Sequence, residues 1–245
     1  MEIAPGIRRL GSSAKVGVYL IEEPGGITIV DAGLPAYFGD LQSELTAMGR
    51  TIDDVRAVLL THAHSDHIGF AERIRREQGV PISVHEADAA LARGEVKQQN
   101  EGGGPMRPLP ALSFLLFGMR KGFLGIKHIT EVSTFSDGAT LDVPGSPQVI
   151  HVPGHTAGSA ALHLPDRDAI LIGDAFVTLN VMSGSTGPQL FPNFNADNRQ
   201  AAESLGRLDA VEARFVLPGH GEPWSGGLTE ALRLVRASTP GASPA

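Results

Sequence analysis

Two aliphatic stretches, residues 16–21 (VGVYLI) and 27–30 (ITIV), flank the turn-forming run EEPGG and predict a β-hairpin that ends at Asp31. From 35 to 48 the period lengthens. Phe38, Leu41, Leu45 and Met48 recur at threes and fours, predicting an amphipathic helix stopped by Gly49. Residues 56–60 (RAVLL) read as a short buried strand that runs directly into THAHSDHIG. The same alternation continues with a helix over 70–78, a strand over 81–85 and a short helix over 86–93. Strands alternating with helices predict an α/β domain whose helices cover a sheet.

The pattern breaks over 94–128, where a polar Gly-rich stretch, three prolines and an apolar cluster (LSFLLFGM) follow one another. This segment reads as a long insertion. Short strands then resume at 140–143, 148–152, 159–164 and 169–172, the last two joined by the PDRD turn, followed by a helix over 198–208, a strand over 215–217 and a final helix over 227–236. ITIVDAG and AILIGDAF repeat one theme, an aliphatic run that delivers an Asp followed by Ala, which is only a faint sign of duplication.

Composition narrows the chemistry. The 245 residues include no Cys, which excludes disulfides, thiolate nucleophiles and Cys-ligated metals. Twenty basic against twenty-seven acidic residues give a net charge of -7, a field that repels nucleic acid and anionic membranes. Lys15, Glu22 and Glu23 interrupt the N-terminal apolar residues before they reach signal-peptide length, and LSFLLFGM is far shorter than the 18 or so residues of a membrane span. The expectation is a cytoplasmic protein without nucleic-acid or membrane partners.

The decisive segment is His62-Ala63-His64-Ser65-Asp66-His67. In extended backbone His62 and His64 point to one side, and after a turn Asp66 and His67 approach from another. Imidazole and carboxylate suit zinc and other first-row transition metals. Chance alone would produce this spacing in roughly one chain in 1,500 of this composition. Three further candidates also follow aliphatic runs, at strand exits: His155 in VPGHTAGS, Asp174 in LIGDAF and His220 in LPGHG.

With these motifs the sequence resembles the metallo-β-lactamase superfamily over nearly the whole chain. The resemblance implies a four-layer αββα sandwich of two mixed β-sheets flanked by helices, a single domain over 1–245 with 94–128 as a lid or subunit-interface insertion. It also implies a dinuclear site. His62, His64 and His155 would hold one ion, Asp66, His67 and His220 the second, and Asp174 would lie between them. Two zinc ions are expected, with iron or manganese as alternatives. Asp31 is expected to orient a ligand histidine rather than to bind metal. His85, His151 and His163 read as hydrogen-bonded structural residues and His128 as a surface residue.

Two adjacent ions would activate a bridging hydroxide near neutral pH, with Asp66 orienting it and managing its proton as the catalytic residue. The expected activity is cleavage of an ester, lactone or thioester in a small, partly apolar molecule. Alternatives are β-lactam hydrolysis, persulfide oxidation at a single iron, and a non-catalytic metal-dependent binding role. The apolar residues of the insertion predict either a lid over the substrate or a C2 homodimer contact, with Arg107, Arg120 or Lys121 available to a substrate carboxylate. Only 25 residues follow His220, ending in a tail, STPGASPA, that reads as flexible, which disfavours a glyoxalase II type thioesterase. The only tyrosines, Tyr19 and Tyr37, leave none beside Asp174, where lactonases of quorum signals usually carry one.

Overall fold

A computed structural model describes residues 1–238; most of the tail expected to be flexible, from Thr239 onward, lies outside the described residues. The first sheet has seven strands in chain order: β1 (Glu2–Ala4), β2 (Ile7–Arg9), β3 (Tyr19–Glu23), β4 (Gly26–Val30), β5 (Val55–Leu59), β6 (Ile82–His85) and β7 (Ser133–Phe135). It is antiparallel as far as β4 and parallel from β4 to β7. The second sheet contains β8 (Gln148–His151), β9 (Ala160–Leu164), β10 (Ala169–Gly173) and β13 (Phe215–Pro218), in the order β13-β10-β9-β8 with β10 parallel to β13. A separate ribbon pairs β11 (Val177–Leu179) with β12 (Thr186–Gln189).

The layering follows from the period-two alternation of strand side chains. Tyr19 and Ile21 of β3, Leu162 and Leu164 of β9, and Ala169 and Leu171 of β10 share one core, between the sheets. Their neighbours turn the other way. Leu20, Ile27 and Ile29 pack with Phe38, Leu41 and Leu45 of α1 (Tyr37–Ala47) and Ile74 of α2 (Ala71–Gln78), while Ile170 packs with Leu232 and Val235 of α6 (Leu228–Ser238). Helix, sheet, sheet, helix is the αββα sandwich, with both faces of each sheet buried.

Several elements differ from the sequence pattern for local reasons. The hairpin, the helices over 35–48 and 70–78 and the strands at 56–60 and 81–85 all form, within a few residues of the expected bounds. The expected helix over 86–93 is a 3₁₀ turn (Glu86–Asp88) leading into the one-turn α3 (Ala89–Ala92), and that over 198–208 is α5 (Asn198–Ser204) running into a second 3₁₀ turn. The expected strand at 140–143 is only one bridge, Thr140 to Gln148, because Pro144 and Pro147 beside it lack the N–H a ladder needs. Conversely, β1, β2, β7, β11 and β12 are three or four residues long, too short to show a period. The insertion over 94–128 contains a 13-residue helix, α4 (Pro108–Arg120). Pro108 and Pro110 sit in its first turn, where the backbone N–H groups have no intrahelical acceptor, so prolines that looked like breakers cost little there.

Candidate metal centre

The parallel pairs deliver the polar residues to one edge of the sandwich. Val30 pairs with Leu59 and Gly173 with Pro218, so Asp31 emerges beside the loop carrying His62, and Asp174 beside the loop carrying His220. His155 follows β8 on the same side. All seven predicted ligands meet there. Their donor atoms form three overlapping groups, each within 4.8 Å: His62, His64 and His155; His62, His67 and Asp174; Asp66, His67 and His220. Asp174 is central, with Oδ2 at 3.1 Å from His220 Nε2, 3.3 Å from His155 Nε2, 3.8 Å from His67 Nε2 and 4.0 Å from His62 Nε2. Asp66 Oδ2 lies 3.5 Å from His220 Nε2 and is the least buried of the set.

The donors are orphaned in a way that fits metal ions. Nε2 of His62, His64, His67 and His155, together with Asp174 Oδ1, are buried and have no hydrogen-bond partner. Buried polar atoms without partners are costly, and a cluster of them converging on one point is the signature of a cation site. Close approach also requires glycine at 219, since a Cβ there would collide with Asp174 Oδ1 and the His67 ring.

The opposite ring nitrogens are held by protein. His67 Nδ1 lies 2.9 Å from Asp31 Oδ2, His155 Nδ1 2.8 Å from Asn195 Oδ1 and His62 Nδ1 3.1 Å from Thr61 Oγ1, while His220 Nδ1 bonds the Lys15 carbonyl. These contacts leave each Nε2 free to face the cluster. Asp31 itself is buried at φ 62°, an uncommon conformation for a residue other than glycine, and also accepts from Thr61 N and Oγ1 at 2.8 and 2.9 Å. The expected orienting role of Asp31 therefore has its geometry.

Asp88 was not singled out by the sequence. Its buried carboxylate accepts from Ala63 N at 2.9 Å, Thr156 Oγ1 at 2.8 Å and Gly158 N at 2.7 Å. It thus ties the loop of His62 and His64 to the loop of His155. Its only signal in sequence is a carboxylate at the start of a helix, which is commonplace, and Asn195 gives no stronger one.

Burial lowers the proton affinity of His62, His64 and His155, with neighbouring imidazoles adding to the effect, so all three are neutral and ready to ligate at pH 7. Burial acts the same way on His67 and His220, but carboxylates outweigh it. Asp31, Asp174 and Asp66 raise His67 to about 10, and Asp174 and Asp66 raise His220. Burial would likewise push Asp174 up, yet His220, His67 and His155 hold its carboxyl well below the usual carboxylate range.

The metallo-β-lactamase superfamily model matches residues 16–220, the span that contains every one of these donors. The chain belongs to this superfamily. Among its curated relatives is the probable metallo-hydrolase YflN of Bacillus subtilis, 29% identical over 225 residues that cover 85% of this chain and 81% of YflN. The metallo-β-lactamase family protein TTHA1429 of Thermus thermophilus superposes with a TM-score of 0.67 at 26% identity, covering 94% of this chain and 78% of that one. TTHA1623, whose structure is in a di-iron-bound form, does so with a TM-score of 0.62 at 26% identity, covering 92% and 95%. Fold and ligand cluster together make the chain a metal-dependent hydrolase of the metallo-β-lactamase superfamily, with overlapping candidate triads consistent with a dinuclear site.

Beside this superfamily centre lies a cavity of about 460 Å³, with His64, Asp66, His155, Asp174 and His220 on its polar side. Ser65 and Gln98 also line it, and the rest of its wall is apolar, including Leu34, Phe114, Met119, Met182, Phe191 and Phe194. Phe191 stacks on His155 with centroids 6.2 Å apart, and Phe114 meets His220 edge-on at 6.0 Å. Phe114 and Met119 come from α4, so the insertion forms part of the cavity wall. Among the described residues no Lys or Arg lines it. Arg107 and Arg120 are exposed and Lys121 pairs with Asp40 at 2.6 Å, which removes the expectation that one of them meets a substrate carboxylate.

The other histidines lie outside the cluster. His85 stacks on His151 at 4.0 Å, His151 Nε2 bonds the Ala157 carbonyl at 2.8 Å, His163 Nε2 bonds the Glu212 carbonyl at 3.1 Å, and His128 is exposed. Among the described residues no helix is long and apolar enough to cross a membrane.

Proposed function

We propose that the chain is a dinuclear-metal hydrolase that cleaves an ester, lactone or thioester bond in a small, largely apolar molecule. The observation that carries this reading is the cavity itself, whose polar side holds the metal donors with Ser65 and Gln98, and whose remaining wall is apolar, with no Lys or Arg among the described residues. A β-lactam or glutathione conjugate brings a carboxylate for which this wall offers no Lys or Arg, so burying it carries a desolvation cost that no protein cation offsets. A neutral acyl chain or lactone ring brings none.

In this reading His62, His64 and His155 would hold one ion and Asp66, His67 and His220 the other, with Asp174 available to both. A bound metal pair supplies Lewis acidity and an activated water at neutral pH. The chain's own residues do the rest. Asp66, partly exposed at the cavity, orients the nucleophilic water and takes up its proton through a carboxylate oxygen, later returning a proton to the leaving group. Phe114, Phe191 and Phe194 seat the acyl portion and exclude water, and the segment 94–128 acts as the lid of the same domain through its cavity-lining residues, Leu112, Phe114, Leu115 and Met119 among them. Zinc is the proposed metal; the di-iron form of TTHA1623 makes iron its main competitor.

The test combines composition with turnover. Protein purified without added metal is expected to contain about two transition ions per chain and, when zinc-loaded, to hydrolyse neutral medium-chain esters or lactones in preference to β-lactams. One tightly held iron per chain, with oxygen consumed in the presence of a persulfide, would overturn the proposal.

A further inference from the structure

The chain is acidic overall, yet from Gly102 to Thr130 it carries no Asp or Glu and has four cations, Arg107, Arg120, Lys121 and Lys127. Lys121 pairs with Asp40. Arg107, Arg120 and Lys127 are exposed, and no ion pair forms at any of them among the described residues. In the same segment Leu109, Leu112, Leu115, Leu116, Met119 and Leu124 are between 48% and 80% exposed. Of the large apolar side chains exposed among the described residues, only Met1 and Val96 lie elsewhere. An apolar helix face of this kind, edged by unpaired cations, is costly to leave in water.

This patch is continuous with the cavity. Leu112, Leu115 and Met119 line the cavity beside the metal donors and are also about half exposed, so one wall of the cavity is at the same time outer surface. The helix is nevertheless anchored. Lys15 Nζ bonds Ser113 at 2.6 Å, the Lys121 carbonyl accepts from Ala36 N at 3.0 Å, and Arg107 N donates to the Met182 carbonyl at 2.9 Å.

We infer that the outer face of α4 and the turn after it form a docking surface for an anionic lipid bilayer. Leu109, Leu116 and Leu124 enter the boundary between headgroups and acyl chains, and Arg107, Arg120 and Lys127 meet the anionic headgroups. Charge decides between a bilayer and a second copy. A two-fold contact centred on α4 would set these cations against their own copies, with no acidic side chain in the segment to pair them. Anionic headgroups pair them directly. Docking in this orientation places the cavity wall at the lipid boundary, where apolar esters partition.

The experiment is flotation of the full chain with vesicles, which reads binding without reference to the metals or to turnover and so fails or succeeds separately from the hydrolase proposal. Vesicles containing phosphatidylglycerol are expected to carry the protein, with binding at least about tenfold weaker to pure phosphatidylcholine or in about 0.5 M salt. Two variants, Leu116→Asp/Leu124→Asp and Arg107→Glu/Arg120→Glu/Lys127→Glu, change residues that do not line the cavity. Each is expected to lose binding at least about tenfold while melting temperature and turnover of a water-soluble ester stay unchanged. Binding no stronger to anionic than to zwitterionic vesicles, or unaltered in both variants, overturns the inference. So does a lipid-free dimer that Leu116→Asp/Leu124→Asp converts to monomer when no vesicle binding is seen, which would assign the patch to a second copy.

Discussion

Asp31 Oδ2 lies 2.9 Å from His67 Nδ1, so the residue directly after β4 sets the direction in which His67 presents its other nitrogen to the candidate donor cluster. Asparagine also tolerates φ 62°, which allows the charge of Asp31 to be removed with the backbone left in place. Asp31→Asn is expected to weaken metal binding by about 10–100-fold, as loss of the outer partner of a ligating imidazole does. Competition with a chromophoric chelator measures it. Unchanged affinity would remove Asp31 from the site.

Proton release should accompany metal uptake. His67 is raised from its ordinary 6.5 to about 10 chiefly by Asp31 and Asp174 acting against burial. Its protonated form stabilises the metal-free fold fully below about pH 6.5, and that contribution is lost as the pH climbs through about 10. A metal ion needs the same imidazole neutral, so affinity is expected to rise with pH across this window. Calorimetry in buffers of different ionisation enthalpy at pH 7 should register at least one proton released per chain on loading.

Asp88→Ala should destabilise the protein and the metal site together. It leaves Ala63 N, Gly158 N and Thr156 Oγ1 buried without their acceptor, at about 1–3 kcal/mol for each group that finds no other partner. Asp88→Asn retains one acceptor oxygen and should cost less. Denaturant unfolding gives the stability, and metal content of the folded Asn variant tells whether the two ligand loops have lost their alignment.

Phe114 connects α4 to the candidate metal centre, packing edge-on to His220 and lining the cavity. Phe114→Ala is expected to raise KM for a medium-chain ester about tenfold with kcat little altered, because the ring contributes binding that is equal in ground and transition states. Steady-state kinetics across an acyl-chain series checks this. An equal loss for acetyl and octanoyl esters would show that the ring does not contact the acyl chain.

The candidate metal cluster was legible in sequence because it is written in residue types that have few other uses at that spacing. His62, His64, Asp66 and His67 lie within one hexapeptide, and His155, Asp174 and His220 each follow an aliphatic strand. The long periodic elements were legible for a similar reason: α1, α2 and the hairpin of β3 and β4 repeat their period often enough to be recognised. Three-residue strands do not, and Pro108 and Pro110 mark the start of α4 only once their place in its first turn is known.

What tertiary structure alone decided is set by parallel pairing and by packing between elements distant in the chain. The pairings of β4 with β5 and of β10 with β13 bring Asp31 to His67 and Asp174 to His220, and the convergence leaves Nε2 of His62, His64, His67 and His155 buried and without partners. Asp88 acquires its role only because two loops that precede and follow it by tens of residues fold onto its carboxylate. Net charge, being a sum over the chain, argued against an anionic surface. Folding keeps the acid-free segment 102–130 together on the outside, where Debye screening makes the nearest charges count for more than the total.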